Sequence, residues 1–527
     1  MPSTRALPVW HPLTQRPFLR LYACYVLSFL SVAMLDITVA WVIADSGAAA
    51  SLVALVSTAA TLPIVILITP LGALADIVSR RAILFYAQVW SVIVTLTMAA
   101  LTGAGLAAPH LLLVLLSLFA ISTAARLPVI TALAPSRVDA ADVGNAMTLL
   151  GVANSLSRMI APLMAIVIIA LSGSAAVFVT AAVLSALAYL AVRVGAPPRP
   201  TRPEAAERFS SAMQTALSYT IQTPEFRRLL WIGLAFFFLS AAAFALGPLL
   251  GSVRYGQTSR VFMSVTAAMG VGALIGGVVS PYLRRFDRVL GPQRIAAILI
   301  VSGSAALVCA PVLPVFLGGA VLHGMGWVLG ISNLTSAAQQ LLPDWIRARG
   351  MAITHMATVC GVALGAAVWG AVADGVGIPV ALSVAGGLLL LIALAPGLLV
   401  LRSIAQEEVT LHRYWREPVL AEPVPARHGP TIMSVEYRVR ADRVDDFLQM
   451  QRESRRRRLR TGAIGWSLWR DLQDPLKYTE QVVFDSLEHH QLHRERTTRA
   501  DYVARSEKLA TLSDPNPKIV YTISEDI

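Results

Sequence analysis

Lysine is nearly missing from this 527-residue chain: the three present, Lys477, Lys508 and Lys518, all lie near its C-terminus. Cysteine is as scarce. Cys24, Cys309 and Cys360 each fall inside an apolar segment, which excludes a disulfide scaffold and a cysteine metal site and leaves small buried hydrophobes. Charge is short too, at 14% of residues, against about 25% for a soluble domain. A chain that is 56% hydrophobic cannot cover its surface with polar groups, so lipid is the natural solvent for much of it. The formal charge of +12 does not imply a nucleic-acid partner. The arginines of the apolar region cluster in short loops, and residues 431–527 are nearly neutral, with 17 Lys and Arg against 16 Asp and Glu.

What is there is a succession of apolar segments. A helix needs roughly 20 residues to cross the hydrocarbon of a bilayer. Twelve segments fit: 18–44, 48–72, 82–104, 109–131, 143–170, 173–194, 228–251, 259–281, 292–310, 312–335, 350–371 and 378–401. The stretch after Arg20 is too long for a cleaved signal and has no obvious cleavage site, so it reads as the first span. Arg80 and Arg81, Arg137, Arg199 to Arg228, Arg284, Arg285 and Arg288, and Arg347 and Arg349 occupy the even-numbered loops. Arginine in short loops marks the cytoplasmic side. The reading is a multi-pass protein of a bacterial inner membrane with both termini cytoplasmic.

The expected fold is all-α in the membrane, twelve helices in two bundles of six, 1–194 and 228–402. A cytoplasmic loop, 195–227, divides them and holds a short amphipathic helix near Phe209–Tyr219. A linker, 403–430, leads to a cytoplasmic domain, 431–527. Its pattern of strand, helix, two strands, helix and strand is the ferredoxin-like α+β arrangement.

An ionisable residue inside a span is costly and marks a candidate functional site. Asp36 in the first span is read as a proton or substrate site, with pairing to an arginine the structural alternative. Arg126 and Arg158 lie in the fourth and fifth spans, and Asn154 is one turn before Arg158 on the same face. Arg158 is placed to pair with Asp36 or to bind an anionic group on a cargo. In the second half His323 and Asn333 are the polar candidates among mainly apolar surroundings, which fit a hydrophobic or amphipathic small molecule. Gly361, Gly365 and Gly370 recur near helical spacing and predict close packing of the eleventh span. The loop Gly72-Ala-Leu-Ala-Asp76-Ile-Val-Ser-Arg80-Arg81 predicts a conformational latch, with Asp76 at the N-terminal end of a neighbouring helix. It is echoed by Gly277-Val-Val-Ser-Pro281-Tyr-Leu-Arg284-Arg285 after the eighth span.

With that loop, and with Gln340-Leu-Leu-Pro343-Asp344-Trp-Ile-Arg347-Ala-Arg349-Gly350 before the eleventh span, the chain resembles the major facilitator superfamily over roughly residues 15–402. Within it the resemblance is to the transmembrane secretion effector branch. The resemblance implies alternating access, gating by Gly72, Asp76, Arg80, Arg81, Asp344, Arg347 and Arg349, and proton-coupled export of siderophores, macrolides or other hydrophobic compounds. A more distant look-alike moves lysophospholipids, and a non-transporting membrane sensor is a further alternative. The fifth span departs from the family's antiport motif: Ala161-Pro162 keeps the proline without the glycine.

The tail resembles the α+β domains of antibiotic-biosynthesis monooxygenases, which pair into dimeric barrels. No catalytic pair, cofactor motif or metal signature accompanies it, so it is read as non-catalytic, with self-association possible. His489, His490 and His493 are read as packing or solvated residues. Arg452, Arg455, Arg456, Arg457 and Arg458, with Arg460, form a run that anionic membrane lipid would attract.

Overall fold

The computed structural model describes residues 10–77, 79–139, 142–193, 209–256, 258–283, 291–395, 429–495 and 518–523. Six apolar helices come first: α1 (Arg16–Asp45), α2 (Ala50–Ile77), α3 (Arg80–Gly103), α4 (Pro109–Leu133), α5 (Val143–Ser172) and α6 (Ser174–Arg193). A short helix, α7 (Phe209–Gln222), occupies the segment read as amphipathic. Six more follow: α8 (Pro224–Tyr255), α9 (Ser259–Leu283), α10 (Pro292–Cys309), α11 (Leu313–Leu341), α12 (Asp344–Val376) and α13 (Ile378–Leu394). Ten are long and apolar enough to cross a membrane, and the apolar segments of α10 and α13 are shorter. Proline opens α1, α4, α10 and α13, where its missing N–H costs no helical bond. Gly173 turns the chain between α5 and α6 at φ +80°, a backbone state that side-chain-bearing residues rarely adopt.

Two expectations about boundaries are corrected. The latch segment is not a loop around Asp76: α2 runs on to Ile77 and α3 begins at Arg80, the run after Pro70 holding no further proline to stop the helix. The Ser79 hydroxyl caps α3 by accepting from Ala82 N–H at 3.3 Å. Likewise α12 starts at Asp344, so Asp344, Arg347 and Arg349 stand in its first two turns.

The chain divides into two compact units. The first comprises 1–202, 232–334 and 355–401. Here α1 packs on α5 and α6, α2 on α4, and α3 on α4 and α6. The core runs from Met34 and Leu35 through Phe119 and Phe178 to Phe262 and Met263 of α9. Glycine lets α11 approach two neighbours. A Cβ on Gly276 would stand 2.6 Å from the Met325 carbonyl, and one on Gly303 2.7 Å from the Gly319 carbonyl. Gly272 meets Val321, and Gly324 meets the Met269 carbonyl, more closely still.

The second unit comprises 203–231, 335–354 and 402–527. It holds a four-stranded antiparallel sheet ordered β2-β3-β1-β4, made of β1 (Thr431–Arg438), β2 (Gly465–Arg470), β3 (Lys477–Phe484) and β4 (Lys518–Ile523). Helices α14 (Val444–Arg460) and α15 (Leu487–Glu495) follow β1 and β3. Strict alternation of burial along β1 and β3 separates the faces. Met433, Val435, Tyr437, Tyr478, Val482 and Phe484 pack with Phe447 and Met450 of α14. The register puts Trp466 opposite Val482 and Leu468 opposite Glu480, on this covered face. The helices thus cover Val482 and Phe484 together with Trp466 and Leu468, and the other face carries Ser434, Glu436, Ser467, Thr479 and Gln481 alongside Ile432, Val483, Val520 and Trp469, the last 60% exposed. At the β2–β3 turn Asp471 accepts backbone N–H bonds from Gln473 at 2.8 Å and Asp474 at 3.3 Å. These hold its carboxyl below the usual carboxylate range.

Candidate functional site

Asp36 is half-buried in α1, and Arg158 of α5, on which α1 packs, is near enough for its charge to act on the Asp36 carboxyl and the Tyr25 hydroxyl. Among the described residues no contact ion pair joins Asp36 to Arg158, which is exposed. Pro162 explains the local backbone: lacking an N–H, it leaves the Arg158 carbonyl without its helical donor. At that point α9 crosses α5, where a Cβ on Gly270 would stand 3.0 Å from Met159 Cα and 3.4 Å from the Arg158 carbonyl. Arg158 thus sits where the first six helices meet the second six. Asn154, one turn earlier, is half-buried, and its Oδ1 has no partner among the described residues.

Arg126 is 2% exposed. Its guanidinium donates to Gln88 Oε1 at 2.9 Å and Thr123 Oγ1 at 3.0 Å, and it lies 5.8 Å from the Phe119 ring centroid. Gln88 in turn donates to Ser28 Oγ at 2.9 Å. Among the described residues no acid pairs with Arg126, so neutral acceptors and a ring face offset the cost of burying its charge.

In the second half, His323 is fully buried and neither ring nitrogen has a partner among the described residues. Its ring stands 6.1 Å from Trp327, which stacks on Phe244 at 4.6 Å and meets Phe237 edge-on at 5.0 Å. This aromatic group was not read from the sequence, because Phe237, Phe244 and Trp327 come from two helices far apart in the chain. Asn333 is buried, and its Nδ2 has no partner among the described residues.

Of the gating candidates, Gly72 and Asp76 lie in the last turns of α2, Arg80 and Arg81 open α3, and Asp344 opens α12. Their side chains, and Arg284 and Arg285, are outside the described residues. Arg347 Nε donates to the Leu342 carbonyl at 3.3 Å, and Arg349 is half-buried. A set of contacts that sequence reading missed joins the other ends of α2 and α12. Asp374 Oδ1 of α12 accepts the Ser51 backbone N–H of α2 at 3.1 Å, and Thr58 Oγ1 donates to the Ala363 carbonyl at 2.7 Å. Between them, a Cβ on Gly370 would stand 2.7 Å from Ala54 Cβ. Trp41 of α1 meets Phe262 of α9 at 5.7 Å. The small residues of α12 were the legible signal: Gly361 and Gly365 pack on the Leu234 and Phe238 carbonyls of α8, and Gly370 packs on α2.

In the tail, Glu480 is fully buried and accepts from Tyr437 at 2.7 Å, Trp466 Nε1 at 2.9 Å, Ser454 at 3.3 Å and Arg458 Nε at 3.4 Å. Arg458 also donates to His493 Nε2 at 3.1 Å, so the ring carries its proton on Nδ1 and donates to Thr461 Oγ1 at 2.7 Å. Arg458 therefore leaves the basic run: it is 4% exposed, because its arginine stem lies on the face of α14 that covers the sheet. Arg457 pairs with Glu453 at 3.2 Å, while Arg452, Arg455 and Arg456 are exposed. His489 bonds Ser486 and His490 packs on Phe484 and Tyr521. Among the described residues no group of His, Cys, Asp or Glu is placed to hold a metal ion.

The sequence model of the family described as "transmembrane secretion effector" matches residues 7–526. The chain belongs to this family. Its fold is that of solved transporters of the major facilitator superfamily. The crystal structure of the nucleoside transporter NupG superposes with a TM-score of 0.59 at 12% identity, over 72% of this chain and 97% of that one. A bacterial homolog of the human lysosomal transporter Spinster, inward-facing and occupied, gives 0.58 at 13%, over 72% and 96%. The human organic anion transporter MFSD10 gives 0.53 at 16%, over 71% and 97%. No curated protein matches. At these identities the likeness establishes the fold and leaves the cargo open.

Proposed function

We propose that this family member is a secondary active exporter of a hydrophobic or amphipathic small molecule, coupled to protons and working by alternating access. The observation that carries the reading is an ionisable pair, Asp36 of α1 and Arg158 of α5, on two helices that pack together, with Arg158 at the place where α5 of the first six helices crosses α9 of the second. An acid and a base so placed feel both the coupling ion and any rearrangement of the crossing. The Ser51–Asp374, Thr58–Ala363 and Trp41–Phe262 contacts bring the two sets of helices together at the α1–α2-turn side. With both termini cytoplasmic in a bacterial inner membrane, that is the outer side, and the state is inward-facing.

The shorter helices α10 and α13 complete a six-plus-six count, and the strand order β2-β3-β1-β4 supports a ferredoxin-like tail. The exposed Arg452, Arg455 and Arg456 remain available to anionic lipid.

The test is flux in inverted vesicles, with siderophores, macrolides and lysophospholipids as probes under an imposed pH gradient. Asp36→Asn should retain binding and lose gradient-driven uptake, and Arg158→Ala should weaken anionic probes more than neutral ones. Lysolipid movement without the others would favour the lipid-transport alternative. No flux of any probe under any ion gradient would favour a sensor and sink the exporter reading.

A further inference from the structure

Helix α7 is held from two sides within the second unit. It packs along α14, where Ser218 Oγ donates to the Leu459 carbonyl at 2.8 Å. Leu459 stands in the last turn of α14, among the carbonyls that no N–H of the helix itself can satisfy. Ser218 supplies the missing donor. The next residue, Tyr219, turns the other way. Its hydroxyl donates at 3.3 Å to the carbonyl of Leu341, the last residue of α11. Its ring meets Trp345 of α12 edge-on at 5.9 Å and Phe226 of α8 at 6.1 Å. Tyr219 is 4% exposed and Phe226 is fully buried, so these rings form a packed joint.

The turn of α14 that Ser218 holds is itself fixed from within the tail. Arg458 is tied to Glu480 of β3 and His493 of α15, and Thr461 bonds the Arg457 carbonyl at 2.8 Å and His493. A continuous set of contacts, buried at Glu480, Arg458 and His493 and part-buried at Thr461 and Ser218, therefore runs from the sheet through the end of α14 to α7. From α7 it reaches the first turns of α8 and α12 and the last turn of α11. The compact unit has the same membership: it joins the tail to 203–231 and 335–354, and cuts α8, α11 and α12 within their lengths.

We infer that the C-terminal α+β region is an internal brace. Through the α14–α7 dock it sets the stability of the ends of α8, α11 and α12. The tail is thus part of the machinery that moves these ends, and any ligand or modification that loosens α14 would act on them. That these ends belong to a transport gate rests on the proposed function. The bracing does not, and its test needs no cargo.

The experiment is hydrogen exchange read by mass spectrometry on the full chain in detergent, comparing the unchanged protein with Ser218→Ala and Ser218→Glu. Losing one hydrogen bond should speed exchange about fivefold at residues 335–354 as well as at α7 and the end of α14. The Glu variant should exceed this, because it places a charge in a packed joint. Peptides from α9 and α10 should not change. If exchange in both variants rises only in α7 and α14, with 335–354 as slow as before, the brace is overturned. The Ala variant removes one oxygen and keeps the question answerable if the Glu variant does not fold. A chain that transports nothing would still give either result.

Discussion

Asp374 Oδ1 of α12 accepts the backbone N–H of Ser51 at 3.1 Å, so an acid from the second six helices caps the first turn of α2. First-turn N–H groups lack a helical acceptor and carry the positive end of the helix dipole. A carboxylate there gains both terms, together about 1 kcal/mol at an exposed site. Asp374→Ala should shift the balance of open and closed forms at this end roughly fivefold towards open. Spin-label distances between the α1–α2 turn and the end of α12 would report it, and an unchanged distance distribution would remove the latch.

The glycines of α9 and α11 predict a sharp contrast. Gly272→Ala or Gly324→Ala must push a methyl into the Val321 or Met269 backbone, which cannot move as a side-chain tip can. Each should cost about 1–3 kcal/mol or more by overpacking. Gly318, also in α11, has nothing within 4 Å of its Cβ position, and Gly318→Ala should leave thermal unfolding in detergent unchanged or slightly improved.

Arg126 depends on Gln88 for its nearest acceptor, at 2.9 Å. Gln88→Leu leaves a buried guanidinium short of a bond and should destabilise by about 1–3 kcal/mol. Adding Arg126→Met removes the charge that needed the bond. The double variant should recover part of the loss in a melting experiment; equal or greater loss would mean that Arg126 is stabilising in its own right.

The Glu480–Arg458 pair is buried on both sides, at 0% and 5%. Glu480→Ala should cost about 3–5 kcal/mol, since it strands a charge. Glu480→Leu with Arg458→Met should be milder. Near-ultraviolet dichroism or the emission of Trp466, which bonds Glu480, would follow the tail's unfolding. A mild single variant with a severe double would reverse the assignment.

Much of the fold was legible because lipid imposes it. Every spanning segment must be long, apolar and helical, so the succession of apolar helices, ten of them long enough to cross a membrane among the described residues, could be read from composition, and proline and glycine marked many of their ends. Helix ends were less legible: Asp76 and Asp344 look like loop residues by charge, yet α2 runs through Asp76 to Ile77 and α12 already begins at Asp344. Ionisable residues inside spans stood out by their cost, so Asp36, Arg126 and Arg158 were found. Their partners were not. Thr123 stands one turn before Arg126 on α4, but Gln88 is an ordinary polar residue until the α3–α4 packing brings it to Arg126.

The sequence by itself therefore determined the class of the protein, its apolar helices, the change to an α+β pattern at its C-terminus and the short list of costly charges, because each follows from the chain's local chemistry against its solvent. Only the tertiary structure decided which of the tail's arginines is buried, which sheet face is covered, and that Asp374 reaches Ser51 and Ser218 reaches Leu459. Two of those contacts use backbone groups, which every residue carries and no sequence pattern marks. They join positions hundreds of residues apart, and only packing selects them.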